Sequence, residues 1–263
     1  MSATRLDVRL VARGLAESRE KAQALVMANR VRVDGVPARK PGQPVREDAQ
    51  VEVLPGPERV GRGALKLEGA LDHFGIDPVG RVAIDVGAST GGFTEVLLAR
   101  GARRVYAVDV GRGQLHEKLR GDPRVVVLER LNARALSPAQ VPEPCGIAAV
   151  DVSFISVAKV LPALRTVLAQ GADAVVLVKP QFEVGRRQVG RGGLVTDPDL
   201  HLDALRTVAT EAQDALGYAV RSACASPITG AEGNREFFLH LVVGAPPLAP
   251  PAFDAMMRAA VSP

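Results

Sequence analysis

Lysine is scarce in this chain, whose 263 residues hold six lysines against twenty-seven arginines. Cysteine is scarcer. Cys145 and Cys224 are the two present, each in apolar or small-residue surroundings with no histidine nearby. That argues against a disulfide scaffold or a thiolate metal centre and for buried free thiols in a reducing compartment. The four histidines, at 73, 116, 201 and 240, share no ligand spacing, so no metal is expected. No stretch approaches the ~18 uninterrupted apolar residues that a bilayer span needs, and Met1-Ser-Ala-Thr-Arg5 opens no apolar signal core. The expectation is a soluble, unexported, cytoplasmic protein without stable membrane insertion. Internal repeats are absent too.

Against this scarcity, the positions of two lysines stand out. Lys66 follows the run Arg62-Gly-Ala-Leu, and Lys179 ends the strand-like run Val175-Val-Leu-Val. Arginine cannot release its proton in a protein, so lysine kept at such places in an arginine-rich chain points to an amine that must. The charge is also unevenly spread. Through Arg46 there are ten basic residues against four acidic ones, a charge of +6, which leaves −2 for the remainder of a chain whose total is +4. A phosphate-facing module attached to a nearly neutral body has this distribution. Its candidate nucleic-acid contacts are Arg5, Arg9, Arg19, Lys21, Arg30, Arg32, Arg39 and Lys40.

Periodicity divides the chain into parts. Residues 5–15 and Arg19 to about Asn29 read as two helices, followed by small strands at Val31–Val33 and Ala49–Val53 around an Asp34-Gly35 turn. This makes a small α+β module over 1–55. Residues 56–63 form a linker rich in proline and glycine. From 64 to 245 helices alternate with apolar strands at 82–86, 105–109, 125–128, 147–151 and 174–178, with two further strands near 218–224 and 236–243. A helical region interrupted at Pro162 is expected over 156–169, and Asp197 should cap a helix with Pro198 in its first turn. Alternation of this kind implies a Rossmann-like α/β domain with a mostly parallel seven-stranded sheet and helices on both faces. Residues 246–263 read as a loosely ordered tail with at most a short helix around Met256.

The loop Asp85-Val-Gly-Ala-Ser-Thr-Gly-Gly-Phe-Thr94 joins the first strand of that domain to a helix, where backbone can approach a ligand closely. Its glycines fall at 87, 91 and 92, unlike the Gly-x-Gly-x-x-Gly of dinucleotide binders, and so suit a cofactor with no pyrophosphate to cradle. Asp109 ends the next strand 22 residues after Gly87, where a carboxylate can accept from both hydroxyls of a ribose. Asp151 and Lys179 end two later strands and should reach one rim. Glu236 should join them there if its strand runs antiparallel. The segment Gly185-Arg-Arg-Gln-Val-Gly-Arg-Gly-Gly193 reads as a mobile basic lid.

These motifs resemble the hemolysin A-type (TlyA) family of ribosomal RNA 2′-O-methyltransferases, an S4-like RNA-binding module followed by an FtsJ-like S-adenosylmethionine-dependent domain. The resemblance spans about residues 5–244. It rests on Arg5-Leu-Asp-Val-Arg-Leu through Arg30-Val-Arg-Val-Asp-Gly35, the glycine loop, Val108-Asp109-Val-Gly111, Asp151-Val-Ser-Phe-Ile155 and Val178-Lys-Pro-Gln-Phe-Glu183. It implies a catalytic tetrad at Lys66, Asp151, Lys179 and Glu236. It further implies S-adenosylmethionine held by Asp85, Gly87, Ser89, Gly91, Gly92, Phe93, Asp109, Val110, Asn132 and Asp151, and ribosomal RNA or a ribosomal subunit as partner, with cytidine the methylated nucleotide. The linker Glu58-Arg-Val-Gly-Arg62 departs from some relatives in lacking an aromatic. Two alternatives stand beside this reading: a small-molecule methyltransferase, which would leave the basic module without a purpose, and a membrane-active cytolysin, for which the chain offers no strongly amphipathic basic helix with large apolar anchors.

Overall fold

The computed structural model describes residues 3–16, 18–27, 30–54, 60–230 and 233–262. The first half of the expected linker, the end of the second expected helix and the side chains of Lys21 and Arg186 lie outside the described residues. The chain divides into two compact units, 1–59 and 60–263.

The first unit runs β1 (Ala3–Arg5), α1 (Leu6–Ala12), α2 (Arg19–Met27), β2 (Val31–Val33), β3 (Val36–Pro37), β4 (Pro44–Arg46) and β5 (Val51–Val53). β2 lies between β3 and β5, and β1 pairs with β4, a strand that sequence patterning did not show. Asp34 and Gly35 both take positive φ, 50° and 78°, which is what a two-residue hairpin turn between β2 and β3 requires. Leu6, Leu10, Ala22, Val26, Val31 and Val45 close a core. Beside it Asp7, fully buried, accepts from Arg5 at 2.8 and 3.0 Å, Gln23 at 2.9 Å and Arg19 at 3.3 Å. The Arg5 guanidinium holds this carboxyl well below the usual range, and Gln23 and Arg19 add to that against the opposing effect of burial.

The second unit continues with α3 (Gly63–Phe74), β6 (Val82–Val86), α4 (Gly92–Ala99), β7 (Arg104–Val108), α5 (Glu117–Arg120), β8 (Val125–Leu128), β9 (Cys145–Val150), α6 (Leu161–Arg165), β10 (Leu168–Val178), α7 (Pro180–Glu183), α8 (Pro198–Leu216), β11 (Tyr218–Ala225), β12 (Phe237–Val243) and α9 (Pro250–Val261). Its seven strands lie in the order β11-β12-β10-β9-β6-β7-β8. β12 alone is reversed, antiparallel to both β10 and β11. Alternate strand residues feed two cores: Ile84, Val86, Val176 and Phe237 pack toward α6, α8 and α9, while Ala83, Val175 and Phe238 pack toward α3 and α4. Asp197 caps α8 through the Asp199 amide, with Pro198 in the first turn.

Two expectations need correction. The helical region 156–169 is interrupted, but just before Pro162 rather than at it, and it is shorter than expected: a single 3₁₀ turn at Val157–Lys159 leads into the five-residue α6, which Pro162 helps to start, and β10 begins at Leu168. Gly171, at φ 74°, lies in that strand, where a continued helix would need negative φ. The terminal segment is not loose either. Pro250 and Pro251 open the twelve-residue α9, which buries Met257, Ala260 and Val261 and packs on β11 and α8. A proline pair that reads as a helix breaker mid-sequence is well placed at a helix start.

Candidate active site

The carboxyl ends of β6, β7, β9 and β10 open onto one rim, and the reversed β12 starts there. After β6 the chain enters the glycine loop. Gly87 has φ 89°, and a Cβ on it would lie 2.2 Å from the Asp151 carbonyl oxygen, so only glycine allows this approach to the end of β9. Gly91, at φ 101°, is the N-cap of α4, and a Cβ there would strike Leu119 of α5. Asp109 continues from β7; its carboxylate accepts the Ser89 amide at 2.8 Å and the Gly111 amide at 2.7 Å, and so sets the shape of the glycine loop as well as facing its opening.

A cavity of about 460 Å³ sits over this rim, within the size range of small-molecule and cofactor sites. Among the residues expected from sequence, Gly87, Ser89, Asp109, Val110, Asn132 and Asp151 line it. Gln114, Leu131, Ser153 and Phe154 line it without having been singled out. Val110 and Phe154 are 74% and 92% exposed, an unusual state for such side chains at a cavity mouth, and Phe154 takes a positive φ of 66° while lying 5.3 Å from the Phe182 ring. A second cavity of about 130 Å³ adjoins the first; Gly92 and Phe93 line it together with Arg62 and Thr90. Gly87, Ser89 and Asp151 border both.

Asp85 and Gly91 line neither cavity. Asp85 lies beneath the loop, fully buried, with the Thr94 hydroxyl donating to Oδ2 at 2.6 Å and Oδ1 without a partner. Burial pushes this carboxyl up to about 7; the charges of Asp151 and Asp109 act in the same direction, and the Thr94 hydroxyl and amide oppose them. A carboxyl harder to ionise in the folded chain than in the unfolded one contributes stability that is complete below the ordinary carboxylate range and is lost as pH rises through about 7.

The four residues of the expected tetrad form two ion pairs. Lys66, on the first turn of α3, places Nζ 2.5 Å from Glu236 Oε2, with side chains 12% and 3% exposed. Lys179, just beyond β10, places Nζ 2.5 Å from Asp151 Oδ1 and donates to Ser153 Oγ at 2.8 Å. Because β12 is antiparallel to β10, with Val178 opposite Phe237, Glu236 enters beside Lys179 at the rim. Each lysine thus carries a carboxylate partner, and Asp151 stands on the wall between the two cavities. Such a site can hold a polar group beside a paired amine and carboxylate and move a proton there.

The basic segment after β10 is partly tied down. It folds as 3₁₀ turns at Arg186–Gln188 and Arg191–Gly193, Gln188 accepts the Gly185 amide, and the buried Asn234 bonds both Gly193 and Val195. Arg187 and Arg191 are exposed. In the first unit, Arg5 and Arg19 are engaged by Asp7 and Arg30 by the Leu54 carbonyl, while the Arg9 Nε is buried without a partner. Arg32, Arg39 and Lys40 are exposed and make no ion pair among the described residues. Among those residues there is also no group of histidine, cysteine, aspartate and glutamate fit to hold a metal, and no helix long and apolar enough to cross a membrane.

An FtsJ-like methyltransferase model matches residues 59–242, and an S4 domain model matches residues 4–51. The chain is 53% identical over 239 residues to the 16S/23S rRNA (cytidine-2′-O)-methyltransferase TlyA of Mycobacterium tuberculosis, covering 90% of this chain and 89% of that one. It is 38% identical to Hemolysin A of Brachyspira hyodysenteriae over 91% of this chain and all of that one. A solved structure from Streptococcus thermophilus, described as a hemolysin, superposes with a TM-score of 0.75 at 41% identity, covering 98% of this chain and 95% of that one.

Proposed function

The chain belongs to the TlyA family of FtsJ-like methyltransferases that carry an S4 domain, and from that premise we propose that it methylates the ribose 2′-hydroxyl of a cytidine in ribosomal RNA. The observation that carries the reading is that Asp151, which borders both a cofactor-sized cavity and its smaller neighbour, holds the buried Lys179 amine at 2.5 Å.

The residues of the larger cavity fit S-adenosylmethionine. Gly87 keeps backbone close at the cavity floor, the Asp109 carboxylate lines the cavity where it would accept from ribose hydroxyls, and exposed Val110 would offer an apolar surface to a nucleobase. Once bound, that cofactor supplies a sulfonium methyl that is already strongly electrophilic, so the protein's work falls on the hydroxyl. A ribose hydroxyl is a poor nucleophile. Lys179 would accept its proton, Asp151 would hold the lysine and the hydroxyl in line, and the Lys66–Glu236 pair would orient the ribose from the other side. The exposed Phe154 ring at the mouth gives a flat face on which a splayed base can stack. Arg32, Arg39 and Lys40 supply phosphate contacts from the first unit.

Asp109→Ala is expected to weaken S-adenosylmethionine binding by about 1–3 kcal/mol, the cost of removing a charged acceptor together with its hold on the Ser89 and Gly111 amides. Calorimetry showing unchanged affinity would place the ribose contact elsewhere. The function itself is tested by methyl transfer to naked ribosomal RNA and to each intact subunit, with the product mapped to a nucleotide and to its 2′-oxygen. Transfer to a base atom, or to no ribosomal substrate, would overturn it. A lytic role finds less support: a paired-lysine rim over a nucleoside-sized cavity has no task in membrane damage.

A further inference from the structure

Three consecutive residues ahead of β12 hold three separate parts of the unit. Asn234, 2% exposed, donates to the Gly193 carbonyl and accepts the Val195 amide, both at 2.9 Å. Arg235 donates to the Val261 and Ser262 carbonyls, both at 3.0 Å, and its guanidinium lies 5.4 Å from the centre of the Phe237 ring. Glu236 holds Lys66. The backbone between them is fastened as well, with the Gly230 amide donating to the Asn234 carbonyl at 2.9 Å and the Ser226 amide to the Glu236 carbonyl at 2.8 Å. Space is tight: a Cβ on Gly230 would come within 2.5 Å of Glu236 Oε1.

The last carbonyls of a helix have no partner within it and carry the negative end of its dipole. At the end of α9, Arg235 satisfies both needs at once. The helix is fixed in turn by the burial of Met257, Ala260 and Val261, so its end is a firm point from which Arg235 locates the backbone immediately before Glu236. Asn234 does the same from the 193–195 segment. Misplacing a reacting group by about 1 Å can cost about a hundredfold in rate. We propose that Arg235 and Asn234 are positioning residues for the Glu236–Lys66 pair, Arg235 acting through the end of the C-terminal helix and Asn234 through the segment that follows the basic loop. This rests on the reading that the pair serves methyl transfer.

The test uses full-length protein with lysine labelled at 13Cε; with six lysines in the chain, the Lys66 signal is assignable from Lys66→Arg. Arg235→Ala, and separately removal of residues 261–263 with their two acceptor carbonyls, should each shift the Lys66 signal and leave that of Lys118 in place. Each should lower kcat about tenfold with KM for S-adenosylmethionine unchanged, and combining them should cost no more than either alone. Arg235→Lys should recover part of the loss. Asn234→Asp, which keeps the acceptor toward Val195 and loses the donor toward Gly193, should give a smaller shift of the same signal. An unmoved Lys66 signal with unchanged kcat in Arg235→Ala, or losses that multiply in the combined variant, would overturn the proposal. If the signal moved as expected but Glu236→Gln retained full turnover, the positioning role would stand and the catalytic reading of the pair would fall.

Discussion

Replacing Lys179 with alanine is expected to lower methyl transfer by about a hundred- to ten-thousandfold, the range supplied by a positioned proton acceptor, while affinities for S-adenosylmethionine and ribosomal RNA stay near those of the unaltered chain. Lys179→Arg is the sharper experiment. A guanidinium at the same place can still pair with Asp151 and keep the charge balance of the rim, but it does not give up its proton at any working pH. Loss of activity in both variants separates proton transfer from electrostatics; activity retained in Lys179→Arg would reduce the lysine to a charge that orients Asp151. Single-turnover kinetics across pH, with binding measured in parallel, decide between these outcomes.

Removal of the first unit is expected to have the second large effect. A chain beginning at Pro57 keeps every residue of the proposed cofactor site and rim, and should bind S-adenosylmethionine as the full chain does. Its affinity for ribosomal RNA should fall, and so should the slope of log affinity against log salt. Arg32, Arg39 and Lys40, if all three neutralise phosphates, account for a slope change of about 2 to 3. Arg5 and Arg19 are already engaged by buried Asp7, so their substitution should act on the folding of the module as much as on RNA. Unchanged affinity and salt slope in the shortened chain would show that the unit is no RNA anchor. Retained methylation of ribosomal substrate would show that it does not place the ribose.

Much of the candidate site was open to reading from the chain alone because its signals are local. Gly87, Gly91 and Asp109 are recognisable since a tight strand-to-helix loop demands left-handed backbone, and the acidic residue at the next strand end follows at a distance set by one helix. Asp151 and Lys179 each close an apolar strand, and parallel strands deliver their ends to one rim. Strand limits at Val82–Val86 and Val125–Leu128 follow from short β-branched runs between breakers.

Where the chain folds back on itself, such local rules no longer decide. The pairing of Lys66 with Glu236 spans 170 positions and depends on β12 running against β10, a direction that no local pattern encodes. Whether Asp85 meets a ligand or lies beneath one turned on burial and on Thr94, nine residues away. The terminal segment reads as loose until β11 and α8 provide an apolar face, at which point burying Met257 and Val261 outweighs the entropy of ordering a short helix. The sequence by itself determined the order of the seven strands of the second unit along the chain, the two-part organisation of charge and the kinds of side chain at each strand end, because propensity, spacing and composition act over a few residues. Tertiary structure decided which carboxylate faces which amine, because hydrogen-bond and ion-pair partners are chosen by packing between elements far apart in the chain.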